Sequence, residues 1–413
     1  MIVLSGADVV LPHRTLSPGT VVIDGSRIVE VKAGVLEGTA GTRVDLHDHY
    51  LIPGFIDVHV HGLEGRDTLD LPDAIRAIAR GLPRYGVTAF CPTTVACPPA
   101  ALRQVLGAVR EARLARPSQS ARVLPAHLES NFINDEYRGA QPGECLRRPP
   151  IPLPAADLAS TRGDVRTGPP AGQDAEFSGA DILGEIERGR PDVGIVTLAP
   201  ELDGALDLVR RLAGAGIRVS LGHSGASFDQ AVDAVRAGAR HATHLFNRMP
   251  PVGHREPGLA GAVLESDEVA AEIICDAHHV HPAMVRVAVA AKGPARIMAI
   301  TDGTAGSGLA AGAQASLGGR PITVRDSAAY LDDGTLAGSV LTMDRGFRVL
   351  VGRVGLSLGD AVLLSSTTPA RELGLLGHGV IAAGAVADLV VLDRDLNVVD
   401  TYVNGGLAFS GRH

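Results

Sequence analysis

Histidine and acidic residues recur in this sequence at the ends of short apolar runs. His59 and His61 form a His-x-His pair directly after the run Phe55–Val58. Residues i and i+2 of a strand project to the same side, so we expect the two imidazoles to lie next to each other. Four later apolar runs are followed by Glu129, His223, His244 and Asp302. Imidazole and carboxylate groups in such a set suit Zn²⁺ or another first-row divalent ion with one position left open for water.

Asp302 is the last member of this set and opens a glycine-rich stretch at residues 303–312. A carboxylate beside an activated water can take a proton from it and later give that proton to a leaving amine. The sequence therefore predicts a metal-dependent hydrolytic site in which Asp302 is the general base and then the general acid.

Two further stretches contain candidate substrate-binding residues. Residues 247–258 include His254 and Arg255, and an arginine beside an imidazole suits a phosphate or a carboxylate. The alternative is a surface Arg255 that pairs with Glu256. Residues 276–282 contain three closely spaced histidines, and we expect at least one of them to face the cleft and the others to be solvated.

The order of the predicted elements places the candidate residues on one rim. From residue 53 onwards, strand-like runs alternate with amphipathic stretches about eight times, which favours a parallel (β/α)₈ barrel. In such a barrel the side chains at the carboxyl ends of the strands meet on the active-site face. A doubly wound parallel sheet is the alternative architecture.

Both ends of the chain are predicted to be β-structure. We expect residues 1–52 and 373–413 to form one small β-sandwich domain beside a barrel of residues 53–372. Asp24-Gly25 is a hairpin signal within the first of these segments. Residues 145–180 are rich in Pro, Gly and Arg without periodicity, so we expect a long surface insertion, for which a role as a lid is an alternative to a solvated loop.

The composition argues against several classes of protein. Of the 413 residues, 45% are hydrophobic and 20% are charged, which argues against a disordered chain. The net charge is −8 without a Lys/Arg run, so we expect no nucleic-acid partner, and the apolar runs are too short for a membrane span. Four cysteines without a Cys-x-x-Cys pair favour a reducing cytoplasm over a disulfide scaffold.

A series of short motifs runs along the chain. It begins with Pro-Gly-Phe-Ile-Asp-Val-His-Val-His-Gly at residues 53–62 and continues with His127-Leu128-Glu129, Ser220-Leu221-Gly222-His223-Ser224, Thr243-His244-Leu245-Phe246-Asn247 and His254-Arg255-Glu256-Pro257-Gly258. Together the motifs resemble the amidohydrolase superfamily and, more specifically, the N-acetylglucosamine-6-phosphate deacetylase family. The resemblance covers nearly the whole chain apart from residues 145–180, and residues 244–261 are its most specific stretch.

This resemblance implies a metal centre on a (β/α)₈ barrel, with a small β-sandwich and a homodimeric assembly. Glu129, His223 and His244 would hold the main divalent ion, and His59 and His61 would be the pair for a second ion. One or two ions per subunit are therefore expected. Zn²⁺ is the expected metal, with Fe²⁺, Co²⁺, Mn²⁺ and Ni²⁺ as alternatives.

The resemblance also implies roles for residues that bind the substrate. Asp302 would be the general base and then the general acid. His279 and Arg255 would bind a sugar phosphate, with Arg255 reaching the site from the partner subunit. Asn247 would contact the phosphate through its backbone or its side chain.

The sequence departs from the family pattern at several positions near the substrate. Gln141 follows Gly139-Ala140 where the family has a histidine that is thought to polarise the acetyl carbonyl, and glutamine can still donate a hydrogen bond there. We therefore place Gln141 among the catalytic residues and Ala140 and Arg248 among the substrate-binding ones. The other departures from the pattern are Ser130-Asn131, Arg248 and Gly303. Such changes are typical of a shifted substrate, whereas Arg255 and His279 favour a phosphorylated sugar.

The predicted reaction is removal of the N-acetyl group of an amino sugar phosphate, with N-acetylglucosamine 6-phosphate giving glucosamine 6-phosphate and acetate. Four alternatives stay open at this point: another N-acylated amino sugar in a specialised pathway, a cyclic amide, an N-acyl amino acid, and a catalytically weak sugar-phosphate-binding homologue. A cytoplasmic homodimer is expected, with a small-molecule substrate and with neither a nucleic acid nor a membrane as partner.

Overall fold

A ring of eight parallel strands forms the centre of the computed structural model, which describes residues 1–36, 41–115, 119–154 and 176–412. The strands are Phe55–Val60, Val87–Thr94, Ala126–Glu129, Val193–Leu198, Arg218–Leu221, His241–Ala242, Ala270–Ile274 and Ile297–Ile300. The ring closes where Asp302 N donates to His59 O at 3.0 Å and His61 N donates to Gly303 O at 2.8 Å. The predicted (β/α)₈ barrel is confirmed, and the doubly wound alternative is wrong.

Helices follow the barrel strands and cover the outside of the ring. They are Ala74–Gly81, Pro99–Ala115, Gly179–Arg188, Ala205–Gly214, Phe228–Ala237, Gly258–Glu265, Pro282–Lys292, Met343–Val349, Leu358–Val362 and Thr368–Glu372. In the helix Pro99–Ala115, Leu102, Val105 and Val109 are buried, because apolar residues three and four positions apart share the face that packs on the strands. The helix Ala74–Gly81 is followed directly by the 3₁₀ helix Leu82–Tyr85, which has Pro83 in its first turn.

Strands from both chain ends form a second sheet of eight strands. In order across the sheet these are Gly406–Ser410, Val398–Val403, Leu389–Leu392, Tyr50–Pro53, Ile2–Val10, Thr15–Asp24 and Arg27–Ala33, with Thr42–Asp45 beside Ile2–Val10. Leu51 and Val391 belong to the sheet's own core, whereas Ile52 and Val390 pack on the barrel, since successive side chains of a strand alternate between faces. This separation of cores supports the domain division at residues 52 and 373, which we keep as a proposal.

A third sheet, which was not predicted from the sequence, covers the carboxyl rim of the barrel. Its four antiparallel strands are Gln314–Leu317, Arg320–Arg325, Ala328–Tyr330 and Leu336–Ser339. Ile322 and Val324 are buried in a small core that includes Val95 from the barrel. The last strand is fixed to the barrel, because Ser339 N donates to Asp302 O at 2.9 Å and Thr304 N donates to Ser339 O at 3.0 Å.

The remaining elements of the described chain are three short strands and the short helices Asp135–Tyr137, Gly143–Cys145, Pro294–Arg296, Leu350–Val354 and Leu363–Thr367. The strands Gly62–Leu63 and Arg66–Asp67 form a hairpin after the first barrel strand, and Arg122–Val123 pairs with Val87–Thr94. Of the insertion predicted at residues 145–180, the stretch 155–175 lies outside the described residues. None of the helices in the described ranges is both long enough and apolar enough to cross a membrane.

Candidate metal centre

Three predicted ligands meet at one point on the carboxyl rim. Glu129 ends the third barrel strand, and His223 and His244 follow the fifth and sixth strands within two residues. Glu129 Oε1 lies 2.8 Å from Nε2 of each histidine, and the two Nε2 atoms are 3.0 Å apart. All three side chains are buried. Three donor atoms directed at a common point are the arrangement that one tetrahedral ion with an open fourth position needs.

The hydrogen bonds around His223 indicate that this point suits a cation. Its Nδ1 lies 2.9 Å from the carbonyl oxygen of Tyr137, which can only accept, so Nδ1 carries the proton. In the neutral ring, Nε2 then directs a lone pair at Glu129 Oε1, which is also an acceptor. Two lone pairs that face each other in a buried site repel, and a bound divalent ion would convert this repulsion into coordination.

His59 and His61 form a second group of potential ligands beside the first. Their Nε2 atoms are 3.1 Å apart, and His61 Nε2 is 3.5 Å from Glu129 Oε2. Burial alone would lower the pKa values of both rings, but the surrounding Glu272, Asp302 and Glu129 raise the pKa of His59 to about 9, and Asp302 and Glu129 raise that of His61 to about 10. This excess of negative charge attracts a cation, and the shared Glu129 allows one or two ions to be held.

Asp302 lies beside the pair His59 and His61 and lines the same pocket as the other candidate ligands. It follows the last barrel strand, and its Oδ1 is 3.3 Å from Nε2 of both His59 and His61. Burial would raise the pKa of Asp302, but the neighbouring imidazoles outweigh burial and hold the pKa below its ordinary value. The carboxylate is therefore ionised and able to accept a proton.

Three of these residues have backbone conformations that are unusual for residues other than glycine. The φ angles are +48° for His223, +29° for His244 and +49° for Asp302. Such conformations cost on the order of 1 to 3 kcal/mol each, and they concentrate at functional sites. The chain therefore turns sharply at three strand ends, and each turn places a polar side chain over the ring.

Gln141 lines the pocket and contacts Glu129, one of the candidate metal ligands. Its Nε2 donates to Glu129 Oε2, and its Oε1 accepts from Ala96 N at 2.7 Å. These two contacts fix the orientation of the amide. One N–H of the Gln141 amide remains for a bound substrate.

The predicted substrate-binding residues divide into two sets. Ala140, Asn247, Arg248 and His279 line the same pocket as the ligands, whereas Arg255 is exposed on its own subunit and does not line it in the described chain. Its contribution to a partner subunit's site therefore stays a prediction. Of the three histidines at residues 278–281, only His279 lines this pocket. The other two contact Tyr330 Oη and the backbone N of Ala283.

The two potential anion-binding side chains differ in how they are held. His279 Nδ1 lies 2.6 Å from Asp276 Oδ2; burial opposes protonation of the ring, but Asp276 raises the pKa of His279 above its ordinary value. Among the described residues the Arg248 guanidinium has no hydrogen-bond partner. It crosses Gly139, where an added Cβ would lie 2.5 Å from Arg248 Nε and where φ is +62°. Arg248 is therefore packed in position but has free donors.

Several functional side chains were missed by the sequence analysis. Glu272 is fully buried in the seventh strand and contacts His59, and His127 and His241 lie in the same layer below the rim. The available signal was one acid within the otherwise apolar strand Ala270–Ile274, since a buried charge in such a strand needs partners.

Comparison with known proteins agrees with this geometry. The Amidohydrolase family model matches residues 50–408. The chain is 35% identical over 366 residues to N-acetylglucosamine-6-phosphate deacetylase of Bacillus subtilis, covering 88% of this chain and 85% of that protein. It is 36% identical over 401 residues to the Homo sapiens protein of the same name, covering 94% and 90%.

Solved structures give the same result. The N-acetyl-D-glucosamine-6-phosphate deacetylase of Mycobacterium smegmatis, in complex with N-acetyl-D-glucosamine-6-phosphate, superposes with a TM-score of 0.85 at 32% identity over 99% of both chains. The Thermotoga maritima N-acetylglucosamine-6-phosphate deacetylase superposes with a TM-score of 0.81 at 30% identity over 99% of this chain and 100% of that one. The present chain therefore belongs to the amidohydrolase family and, within it, to the N-acetylglucosamine-6-phosphate deacetylases.

Proposed function

We propose that this protein hydrolyses the acetamide bond of N-acetylglucosamine 6-phosphate to give glucosamine 6-phosphate and acetate. The observation that carries the proposal is the convergence of Glu129, His223 and His244 on one point, with the ionised Asp302 beside it. The pocket that contains them also contains His279 and Arg248, which suit an anionic substrate. The names of the relatives at about 35% identity support this choice of substrate.

The residues divide the chemistry between them. Glu129, His223 and His244 would hold a divalent ion, which when bound supplies Lewis-acid activation of water and of the amide carbonyl. Asp302 accepts a proton from the attacking water and passes it to the leaving nitrogen as the C–N bond breaks. Gln141 directs its remaining N–H towards the pocket, where it can donate to the acetyl oxygen.

The other wall of the pocket would bind the sugar phosphate. We propose that Arg248, His279 and Asn247 contact the phosphate, with Ala140 shaping the pocket beside Gln141. Arg248 provides free donors, and guanidinium groups bind phosphate through paired hydrogen bonds. Arg255 of the partner subunit would add a further cation in a homodimer.

The cofactor, assembly and location are proposed on the same basis. Zn²⁺ is the proposed metal, since two imidazoles and a carboxylate with an open position suit it. We propose a second ion per subunit, with His59 and His61 as its ligands. A cytoplasmic homodimer is proposed, and the four described cysteines, which are all buried and free, agree with a reducing compartment.

The test is acetate release by Zn²⁺-loaded protein from N-acetylglucosamine 6-phosphate, run beside the unphosphorylated sugar. We expect release from the phosphate ester, loss of release after treatment with a chelator, and recovery on addition of Zn²⁺. If neither sugar yields acetate although Zn²⁺ is bound, the proposal is wrong. Other N-acyl amino sugars are then the next candidates, because two departures from the family pattern, Gln141 and Arg248, line the pocket.

A further inference from the structure

Glu272 connects the two groups of ligands from below. It lies in the middle of the strand Ala270–Ile274 and is 0% exposed. Its Oε2 lies 2.9 Å from His59 Nδ1 and accepts from the backbone N of His244 at 3.3 Å. His59 belongs to one ligand group and His244 to the other. A single carboxylate oxygen therefore contacts both halves of the metal centre.

The contact with the backbone determines the protonation of His59. A backbone N–H can only donate, so Oε2 of Glu272 is an acceptor in this network. For the ionised Glu272 carboxylate, which has no proton to give, His59 Nδ1 is then the second donor to the same oxygen. In the neutral ring this places the lone pair on Nε2, which faces His61, Asp302 and Glu129.

The other oxygen of Glu272 belongs to a hydrogen-bond network rather than to a further ion site. Oε1 lies 2.8 Å from His241 Nε2. The nearby His127 has a partner at each ring nitrogen, since Nδ1 lies 3.0 Å from Val58 O and Nε2 lies 2.8 Å from Thr197 Oγ1. Nδ1 donates to the Val58 carbonyl oxygen, so the single lone pair of the His127 ring, on Nε2, accepts from the Thr197 hydroxyl and is not free for an ion. The layer of Glu272, His127 and His241 therefore supports the metal centre above it.

We propose that Glu272 is a positioning residue that holds His59 in the Nδ1–H form and holds the backbone of His244, so that both ligand groups present their Nε2 lone pairs to bound ions. The inference rests on the proposed metal-dependent function, but it does not depend on the identity of the substrate. Hydrogen-bond partners of this kind are worth about 10- to 100-fold in metal affinity.

The test compares Zn²⁺ binding by wild type, Glu272→Met and Glu272→Gln. Met has a similar length but accepts only weakly, so we expect Zn²⁺ affinity to fall about 10- to 100-fold, measured by competition with a chelator and by counting ions per subunit. Gln can keep its oxygen towards His59 and His244 and turn its NH₂ to His241. His241 can accept there, because its Nδ1 has no partner in the described chain and is free to carry the ring proton. We therefore expect Glu272→Gln to stay within a few-fold of wild type.

Glu185→Met is the matched control for loss of a buried carboxylate. Glu185 is 3% exposed and pairs with Arg103 and Arg188 away from the site, so this variant should lower Tm without changing Zn²⁺ affinity. If Glu272→Met binds Zn²⁺ as tightly as wild type, the proposal is refuted.

If Glu272→Met does not fold, the histidine ¹⁵N NMR spectrum of the Zn²⁺-loaded wild type decides, with His59 assigned from the spectrum of His59→Gln. A protonated Nδ1 on His59 supports the proposal, and a protonated Nε2 alone overturns it. If Glu272→Met binds Zn²⁺ more weakly but the Zn²⁺-loaded wild type turns over no sugar, the proposed function is refuted and this inference stands.

Discussion

Replacing Asp302 with Asn removes the proposed proton acceptor with little change in shape. The Asp302 backbone has φ of +49°, a conformation that Asn tolerates, and the backbone bond from Asp302 N to His59 O is retained. The side-chain oxygen can stay near His59 and His61, but an amide cannot take a proton from water. General acid–base catalysis contributes about 10²- to 10⁴-fold, so kcat should fall by that factor, equivalent to about 3 to 5 kcal/mol of barrier.

The assay follows acetate release at saturating substrate, together with bound Zn²⁺ per subunit and KM. We expect KM to stay within a few-fold of wild type and saturating Zn²⁺ still to bind at Glu129, His223 and His244, because Asp302 is assigned to proton transfer and is not one of these three ligands. Asp302→Ala provides the control for shape, since it should lose at least as much kcat and also stability at the positive φ. Turnover of Asp302→Asn at the wild-type rate would refute the assignment of the base.

Three further outcomes follow from the site. Zn²⁺ at a concentration 1,000-fold above Kd should raise the free energy of unfolding by about 4 kcal/mol. His244→Asn should largely abolish the corresponding rise in Tm, and an unchanged rise would exclude His244 as a ligand. Arg248→Ala should raise KM for the phosphorylated sugar about 10- to 100-fold and leave KM for the unphosphorylated sugar unchanged. Arg255→Ala is the comparison for the partner subunit's contribution, and equal effects of Arg248→Ala on both sugars would contradict phosphate recognition by Arg248. Gln141→Ala should weaken Zn²⁺ binding about 10-fold, and an unchanged Zn²⁺ affinity would show that the contact with Glu129 has no effect. The variant also leaves the Ala96 N–H unpaired, so chemical denaturation should show a free energy of unfolding lower by about 1 to 3 kcal/mol.

The barrel and the placement of the polar residues on its rim could be predicted because their signals are local. Each candidate ligand follows an apolar run, and parallel strands bring such positions to one rim whatever the intervening loops do. His59, Glu129, His223, His244 and Asp302 were found in this way, and the structure brings them together.

The residues that were missed depend on contacts between distant segments. Glu272 interrupts an apolar strand by one residue, and only the fold shows that His59 and His241 reach it from two other strands. The third sheet was missed because its strands are three to six residues long and many of their residues are partly exposed, so their hydrophobic pattern is weak. The hydrogen bonds of Gln141 were also beyond reach, since Ala96 lies far from it in the chain.

The sheet built from both chain ends has a consequence for synthesis. The strand Tyr50–Pro53 is made before the barrel strands, but its antiparallel partner Leu389–Leu392 is made after all of them. Until then Leu51 and Ile52, which are fully buried in the finished protein, lie on an unpaired strand edge. The nascent chain therefore exposes an unpaired strand edge, which other strands can pair with, throughout translation of the barrel. Chains that stop before residue 389 should be prone to aggregation even where their barrel has formed.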